Sequence, residues 1–373
     1  MSISLIQRIL SEENLDGWLL YDFHGINPTF YKIVGMPEER HITRRVYYWI
    51  PKIGEPLKIV HKIEKHVFDG IPGQLICYAR REELADLLSK LSGRVAMEYS
   101  IDIPYLSFVD GGTIDSLRAL KNIEIVSSGA LLQKLLSTLD KVAIESHLAA
   151  AMFLDKLVSE ASTYITNTLP YEKDVSDFIM KRFKEDGFIT EYAPIVAKGP
   201  NSANPHYEPK GRGDKIQKGD FVLIDLRCKK NIPGSIYGDI TRVFMLGEPT
   251  LKMKEAFQAV RGAQKIGIQH VKIGATGASV DTAAREHLEN KGYGQYILHR
   301  LGHSIDTNLH GSGANFDSFE TLDARKIIPN TCYSVEPALY FPGEFGLRLE
   351  CDVLVTAEGV QVTGGTQEEI ICL

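Results

Sequence analysis

Apolar positions in the opening segment, MSISLIQRILSEENLDGW, fall at helical spacing: Ile3, Ile6 and Leu10 form a face that Leu5 and Ile9 widen. An amphipathic helix is predicted there. The period then shortens. GWLLYDF, RVYYWIP, PLKIVH and QLICYA are apolar or β-branched runs of strand length, separated by Gly, Pro and charged turns. Helical periodicity returns over Glu82–Leu91, and RVAMEYS reads as a further strand. Short helices among such strands predict an α/β domain with a mixed sheet. His61 and His66 of HKIEKH read as part of a solvated loop rather than as ligands.

Near Leu131 the texture changes. LLQKLLSTLDKVAIESHLAAAMFLDKLVSEAS, rich in Ala and Leu, predicts two consecutive amphipathic helices. A third is expected over Glu172–Asp186, between Pro170 and Gly187. The domain boundary is placed accordingly, with an N-terminal domain over residues 1–133 and a C-terminal domain over 134–373. In the second, a strand pair, two helices (roughly 252–271 and 278–291) and another strand pair follow in order.

Hydrophobic residues make up 44% and charged residues 24% of the 373, enough for either half to bury a core. The net charge of −6 comes without a basic stripe, which argues against a nucleic-acid partner. No window approaches the roughly 18 apolar residues of a membrane span. The N-terminus also lacks a basic region leading into an unbroken apolar run. Five cysteines, at 77, 228, 332, 351 and 372, are odd in number and scattered without CxxC spacing. They fit a reducing compartment, so a cytoplasmic protein is expected, with Cys332 and Cys351 as buried small hydrophobes.

The two strand pairs carry acids where acids are unfavourable. FVLID and GDITRVFML flank an NIPGS turn and contain Asp225 and Asp239. Asp is depleted from strands, and a buried carboxylate is costly unless paired or bound to a cation. Either residue alone reads equally as a solvated strand-end acid. The pattern repeats about a hundred residues later: TCYSVEPALYFPGEFGLRLECDVLVT is a second hairpin-like segment with Glu336 and Glu350 among apolar neighbours. Between the two lies ILHRLGHSIDTNLHG with His299, His303 and His310, and upstream AKGPNSANPHYEP carries His206. Each histidine alone is also compatible with a hydrogen-bonded structural role.

Taken in order, Asp225, Asp239, His303, Glu336 and Glu350 resemble the five metal ligands of the pita-bread metallopeptidases, in the words LIDL…GDITRVF, LGHS, SVEPALY and GLRLECDVLVT. That superfamily includes methionine aminopeptidase, aminopeptidase P, prolidase and creatinase. The likeness spans roughly residues 135–373. It implies an α+β catalytic domain with a curved, mostly antiparallel sheet, behind a creatinase-like N-terminal α/β domain. His206 matches the histidine of the family's NSAxPH stretch, and His310 its second histidine, seven residues after the ligand. Arg348 matches the arginine that supports the metal carboxylates. The chain also departs from the pattern. Arg227 stands where the family usually has Gly, and the long interval from Asp225 to Asp239 predicts an enlarged hairpin tip. Arg300, Ser304, Asp306 and Gly311 replace three glycines and a glutamate of HGxGHGxGxxxHE. These changes are expected to alter the pocket walls and to leave the ligands intact.

The resemblance implies two divalent ions per chain, Mn²⁺ or Co²⁺ first and Fe²⁺ or Zn²⁺ next, because oxygen donors with one imidazole suit them. Four converging carboxylates carry a formal charge of −4, which two such ions would cancel. Asp239 and Glu350 would bridge, with Asp225 on one ion and His303 and Glu336 on the other. A shared water would become the nucleophile near neutral pH. Glu336 would pass its proton towards the leaving nitrogen. His206 and His310 would hydrogen-bond the substrate carbonyl and the tetrahedral intermediate. The implied substrate is an Xaa-Pro bond, a tertiary amide without an N–H, in a dipeptide or at the N-terminus of a short peptide. The front domain implies a homodimer with narrowed access. Two other readings stay open: a metal-dependent hydrolase of a small non-peptide amino-acid derivative, and a non-catalytic peptide-binding relative.

Overall fold

The computed structural model describes every residue except Glu38. The chain separates into two compact units, Met1–Leu135 and Leu136–Leu373. In the first, the amphipathic opening forms α1 (Ile3–Glu12), which buries Ile6, Ile9 and Leu10. It is followed by β1 (Gly17–Asp22), α2 (Pro28–Val34), β2 (Val46–Pro51), β3 (Leu57–His61), β4 (Gln74–Tyr78), α3 (Arg81–Ser89), β5 (Gly93–Met97), α4 (Gly111–Arg118), β6 (Ile123–Ser127) and α5 (Gly129–Leu132).

The strands form one sheet in the order β4-β3-β2-β1-β5-β6. β2 pairs antiparallel with β1 and β3, and the remaining pairs are parallel, so the sheet is mixed. One face carries Leu19, Tyr21, Tyr47, Trp49 and Val95 against Leu84 and Leu88 of α3 and Ile114 and Leu117 of α4. β1 is buried along its whole length, which is why GWLLYD reads as an unbroken apolar run. HKIEKH is more ordered than a loop: Lys62–Phe68 is a 3₁₀ helix, and the His61 side chain caps it by accepting from the Ile63 N–H.

The Ala- and Leu-rich stretch forms a short helical segment and then a long helix, the two that were expected. After α5 the chain makes a π-type turn, Gln133–Ser137. Asp140 then accepts from the Ala143 N–H at 2.8 Å and starts α6 (Lys141–Thr168). The second unit continues with α7 (Glu172–Glu185), β7 (Phe188–Ile189), β8 (Ile195–Lys198), β9 (Phe221–Lys230), β10 (Gly238–Met245), α8 (Leu251–His270) and α9 (Gly277–Asn290). It closes with β11 (Ser304–Ile305), β12 (Thr331–Val335), β13 (Ala338–Phe341), β14 (Phe345–Arg348), β15 (Cys351–Thr356), β16 (Gly359–Thr363) and β17 (Ile371–Cys372).

β9 and β10 pair antiparallel, joined by a seven-residue tip over 231–237. Strand alternation divides their side chains between two environments. Val222, Ile224, Leu226 and Ile240 pack on Ala150, Leu154, Leu157 and Ala161 of α6. The opposite face carries Asp225, Arg227, Asp239 and Thr241. In the ladder Thr241 stands opposite Asp225, and Asp239 opposite Arg227. Directly opposed residues share a face, so this hairpin alone brings three charges and a hydroxyl together.

The second acid-bearing hairpin is interrupted. β12 pairs with β15 and β13 with β14, and the break falls at Glu336–Pro337 on one arm and Leu349–Glu350 on the other. The register is unchanged across the gap: Val335 faces Cys351 before it and Ala338 faces Arg348 after it. Glu336 and Glu350 are therefore directly opposed. The ladder opens because their N–H groups bond elsewhere, Glu336 to Leu301 O (2.8 Å) and Glu350 to Thr241 O (3.4 Å). Pro337 has no N–H to offer. Behind this layer Phe257, Val260 and Ala263 of α8 and Val280 and Ala284 of α9 pack on Tyr333, Val335, Leu347 and Val353.

Candidate metal centre and its cleft

Four of the five candidate ligands are almost wholly enclosed: Asp225, Asp239, His303 and Glu350 are each at most 3% exposed. The Glu336 side chain is 15% exposed and looks into an open cleft. Asp239, His303 and Glu350 each offer an atom within 4.8 Å of the other two. His303 Nε2 also lies 3.4 Å from Glu336 Oε1 and 3.8 Å from Asp239 Oδ2.

His303 is aimed by its surroundings. Its Nδ1 sits 3.1 Å from Ser304 O, a contact that places the proton on Nδ1 and leaves the Nε2 lone pair facing the carboxylates. Burial, then His310, pushes its pKa well below the ordinary value and keeps the ring neutral. Gly302, the residue before it, has to be glycine. A β-carbon there would meet Ser334 O at 2.1 Å, and that close approach brings His303 to β12. Ser334 Oγ then receives the His303 N–H (3.0 Å) and donates to Glu336 Oε1 (3.1 Å).

The carboxylates are mutually uncomfortable. Burial, reinforced for Asp239 by Glu350 and for Glu350 by Glu336, raises both pKa values well above the usual range. Burial also raises Glu336, against the pull of Arg348 and Arg300. Asp239 Oδ1 is buried and accepts no hydrogen bond, a costly condition for a carboxylate oxygen. A neutral imidazole, two opposed glutamates and an orphaned aspartate oxygen suit a divalent cation.

Asp225 is different. Its Oδ1 accepts from Arg227 Nη1 at 2.7 Å, and its Oδ2 is paired with Arg348 Nη2. Burial alone would raise this carboxylate, but the two guanidiniums outweigh it and hold the pKa below the usual range. Arg348 in turn donates to Thr241 Oγ1 (3.1 Å) and Tyr340 Oη (3.0 Å). His299, named in the sequence only as one of the histidines, completes the centre together with Thr241, Tyr340 and Asp352, which were not singled out there. His299 Nε2 lies 2.9 Å from Tyr340 Oη, and Asp352 Oδ2 accepts the Asp239 N–H at 2.9 Å. The alternation Glu350–Asp352 and the place of Thr241 opposite Asp225 were the available signals.

The cleft has a volume of about 400 Å³ and is lined by His206, His299, Arg300, His303, His310, Glu320, Glu336 and Arg348 among others. His206 and His310 thus reach the same cavity as Glu336. The His310 ring stands 4.5 Å from that of His303, edge to face. Of the four departures expected to alter the walls, only Arg300 lines the cleft. Ser304, Asp306 and Gly311 brace the loop that carries His310. Asp306 is fully buried and accepts from the N–H groups of Asn308 and Ser312, both at 2.8 Å. A β-carbon on Gly311 would meet Ser304 Oγ at 2.9 Å. These residues form a substitute scaffold rather than a new surface.

Comparison with known proteins accords with this geometry. The family description "Metallopeptidase family M24" matches residues 145–357. Over 266 residues the chain is 30% identical to an uncharacterized peptidase, YqhT, of Bacillus subtilis, covering 70% of this chain and 66% of that protein. It is 31% identical over 232 residues to an Xaa-Pro dipeptidase of Pyrococcus furiosus, covering 62% and 64% respectively. The matched segments thus span just under two thirds of those relatives' own length. The solved dipeptidase PepE of Mycobacterium ulcerans superposes with a TM-score of 0.73 at 22% identity, over 99% of this chain and 96% of that one. The fold is the expected pita-bread arrangement. With well over half of its length inside the family match, the chain belongs to Metallopeptidase family M24.

Proposed function

We propose that the protein is a divalent-metal-dependent peptidase that cleaves Xaa-Pro bonds, in dipeptides or at the N-termini of short peptides. The observation that carries the reading is the meeting of Asp239, His303 and Glu350, with the orphaned Asp239 Oδ1, beside a cleft that His303 and Glu336 line. The Xaa-Pro dipeptidase of Pyrococcus furiosus among the relatives supports the choice of bond.

Asp239, His303, Glu350 and Glu336 would hold the cation, with Mn²⁺ or Co²⁺ favoured by the donor set. A bound divalent ion supplies a water acidic enough to attack at neutral pH and polarises the scissile carbonyl. The residues do the rest. Glu336, at the rim of the buried group, takes the proton and returns it to the proline nitrogen. His206 and His310 donate to the carbonyl oxygen as charge develops on it. Arg348, fixed by Asp225, Thr241 and Tyr340, is a positioning residue. Arg300 is the cation on the cleft wall that meets the free carboxylate of a dipeptide, which inclines the reading towards a dipeptidase. The first unit would narrow access in a homodimer. The five free, scattered cysteines support a cytoplasmic location.

Turnover of Ala-Pro, Met-Pro, a Gly-Pro-containing tripeptide and Ala-Ala, each with Mn²⁺ or Co²⁺, tests the assignment. Hydrolysis of the first two with Ala-Ala spared is expected. Failure to cleave any Xaa-Pro peptide with metal bound would overturn it.

A further inference from the structure

Arg227 lies two residues beyond Asp225 on β9 and directly opposite Asp239 on β10, so its side chain enters the same buried face as both acids. The side chain is only 13% exposed. Its Nη1 holds Asp225 Oδ1 at 2.7 Å while Arg348 holds the other oxygen. The aspartate is thus clasped from two sides by guanidiniums; each oxygen keeps a further lone-pair site, but two fixed cations against the carboxylate repel an approaching ion. Among the described residues, the one group of three close metal-ligating side chains is Asp239, His303 and Glu350, and it leaves Asp225 out.

Charge points the same way. Four carboxylates, Asp225, Asp239, Glu336 and Glu350, call for four positive charges to neutralise them. Arg227 and Arg348 bring two of these as permanent cations, since a guanidinium does not give up its proton in a protein. For these four candidate ligands one divalent ion completes the balance, and a second exceeds it.

We propose that Arg227 takes the place of one of the two ions implied by the family pattern, so that each chain holds a single divalent cation on Asp239, His303 and Glu350, with Glu336 beside it. Asp225 is then the anchor of two guanidiniums instead of a ligand. This deepens the metal-dependent reading above and rests on it.

The test reads the metal and not turnover. Metal-stripped full-length protein is titrated with Mn²⁺ by calorimetry, and the bound ion is examined by electron paramagnetic resonance. One ion per chain with the hyperfine pattern of isolated Mn²⁺ is expected. Arg227→Gly, which vacates the space, is expected to take up a second ion and to show the spectrum of a coupled pair. Two ions of comparable affinity in the parent would overturn the proposal, as would a folded Arg227→Gly that still binds only one. If that variant does not fold, the parent's stoichiometry and spectrum decide by themselves. No ion bound at all would sink both this inference and the metal-dependent reading. One bound ion without cleavage of any Xaa-Pro peptide would sink the substrate assignment and leave this inference standing.

Discussion

The hydroxyl of Thr241 donates to Glu350 Oε2 at 2.6 Å while it accepts from Arg348 Nε at 3.1 Å. One small side chain thus orients a carboxylate of the metal group and the arginine that restrains Asp225. Thr241→Val keeps the shape and removes both bonds. Loss of such an outer partner lowers metal affinity by roughly tenfold to a hundredfold. Calorimetric Mn²⁺ titration checks this, and Thr241→Ser should restore most of it. Equal affinities for the Val variant and the parent would show that Glu350 does not need this support.

Asp239→Asn is expected to act in opposite directions with and without metal. The raised pKa of Asp239, caused by burial and then by Glu350, means that its contribution to stability is present at low pH and lost as pH rises. The contribution of Asp239 to the metal-free parent should therefore grow as pH falls from neutral towards about 5. Asn removes the repelling charge, so the metal-free variant should melt higher than the metal-free parent at neutral pH, yet gain nothing from added Mn²⁺. Thermal melts with and without metal check both signs. A variant that melts lower without metal would contradict the repulsion.

His310→Ala should lower kcat by roughly tenfold or more, as loss of a donor to the developing oxyanion does, while metal content stays that of the parent. His310 packs on the His303 ring, so metal content has to be measured alongside turnover. Depleted metal would mean that His310 acts by holding His303.

Arg300→Ala is expected to raise KM for Xaa-Pro dipeptides by about tenfold or more, the scale of one hydrogen bond to a charged group. A tripeptide or dipeptide amide, without a carboxylate at that position, should be little affected. Steady-state kinetics on matched acid and amide substrates separate the cases. An equal effect on both would remove Arg300 from carboxylate recognition.

In the first unit, Glu98 is fully buried and accepts from Trp18 Nε1 (2.6 Å) and Asn27 Nδ2 (3.1 Å). Burial, opposed by these donors, raises its pKa to about 7. Its contribution to stability is complete below the unfolded value of about 4.3 and is lost as pH climbs through 7, a loss of about 4 kcal/mol. The chain's two tryptophans, Trp18 and Trp49, both lie in this unit, so their fluorescence reports on it alone. Urea unfolding followed by that signal should move to lower midpoints between pH 5 and 7.5, and Glu98→Gln should flatten the trend. Parallel trends in the two proteins would remove Glu98 as the cause.

Much of the centre was legible because acids in strands are conspicuous. Asp225 and Asp239 stand out inside apolar runs, and alternation alone puts them on the face away from α6. What could not be read was pairing. In the text of the second hairpin only Pro337 hints that the ladder opens; the competing acceptors for Glu336 and Glu350, Leu301 O and Thr241 O, come from distant parts of the chain and could not be read. Arg227 was visible as a departure, yet its effect on Asp225 depends on a guanidinium folding back along its own strand. Ser304, Asp306 and Gly311 were taken for wall residues because substitution patterns do not distinguish a surface from the brace beneath it. The division of the Ala- and Leu-rich stretch into two helices has a local cause: Asp140 offers a capping acceptor, and the chain restarts there.

The opened hairpin keeps its register across the gap, and this governs where the gene can change length. Residues 342–344, at the turn beyond Phe341, belong to neither arm and can be lengthened without disturbing what lies inward. A single codon inserted at Pro337 would instead turn Tyr340 away from Arg348 and undo the grip on Asp225. Length variants in this segment should survive only at the turn.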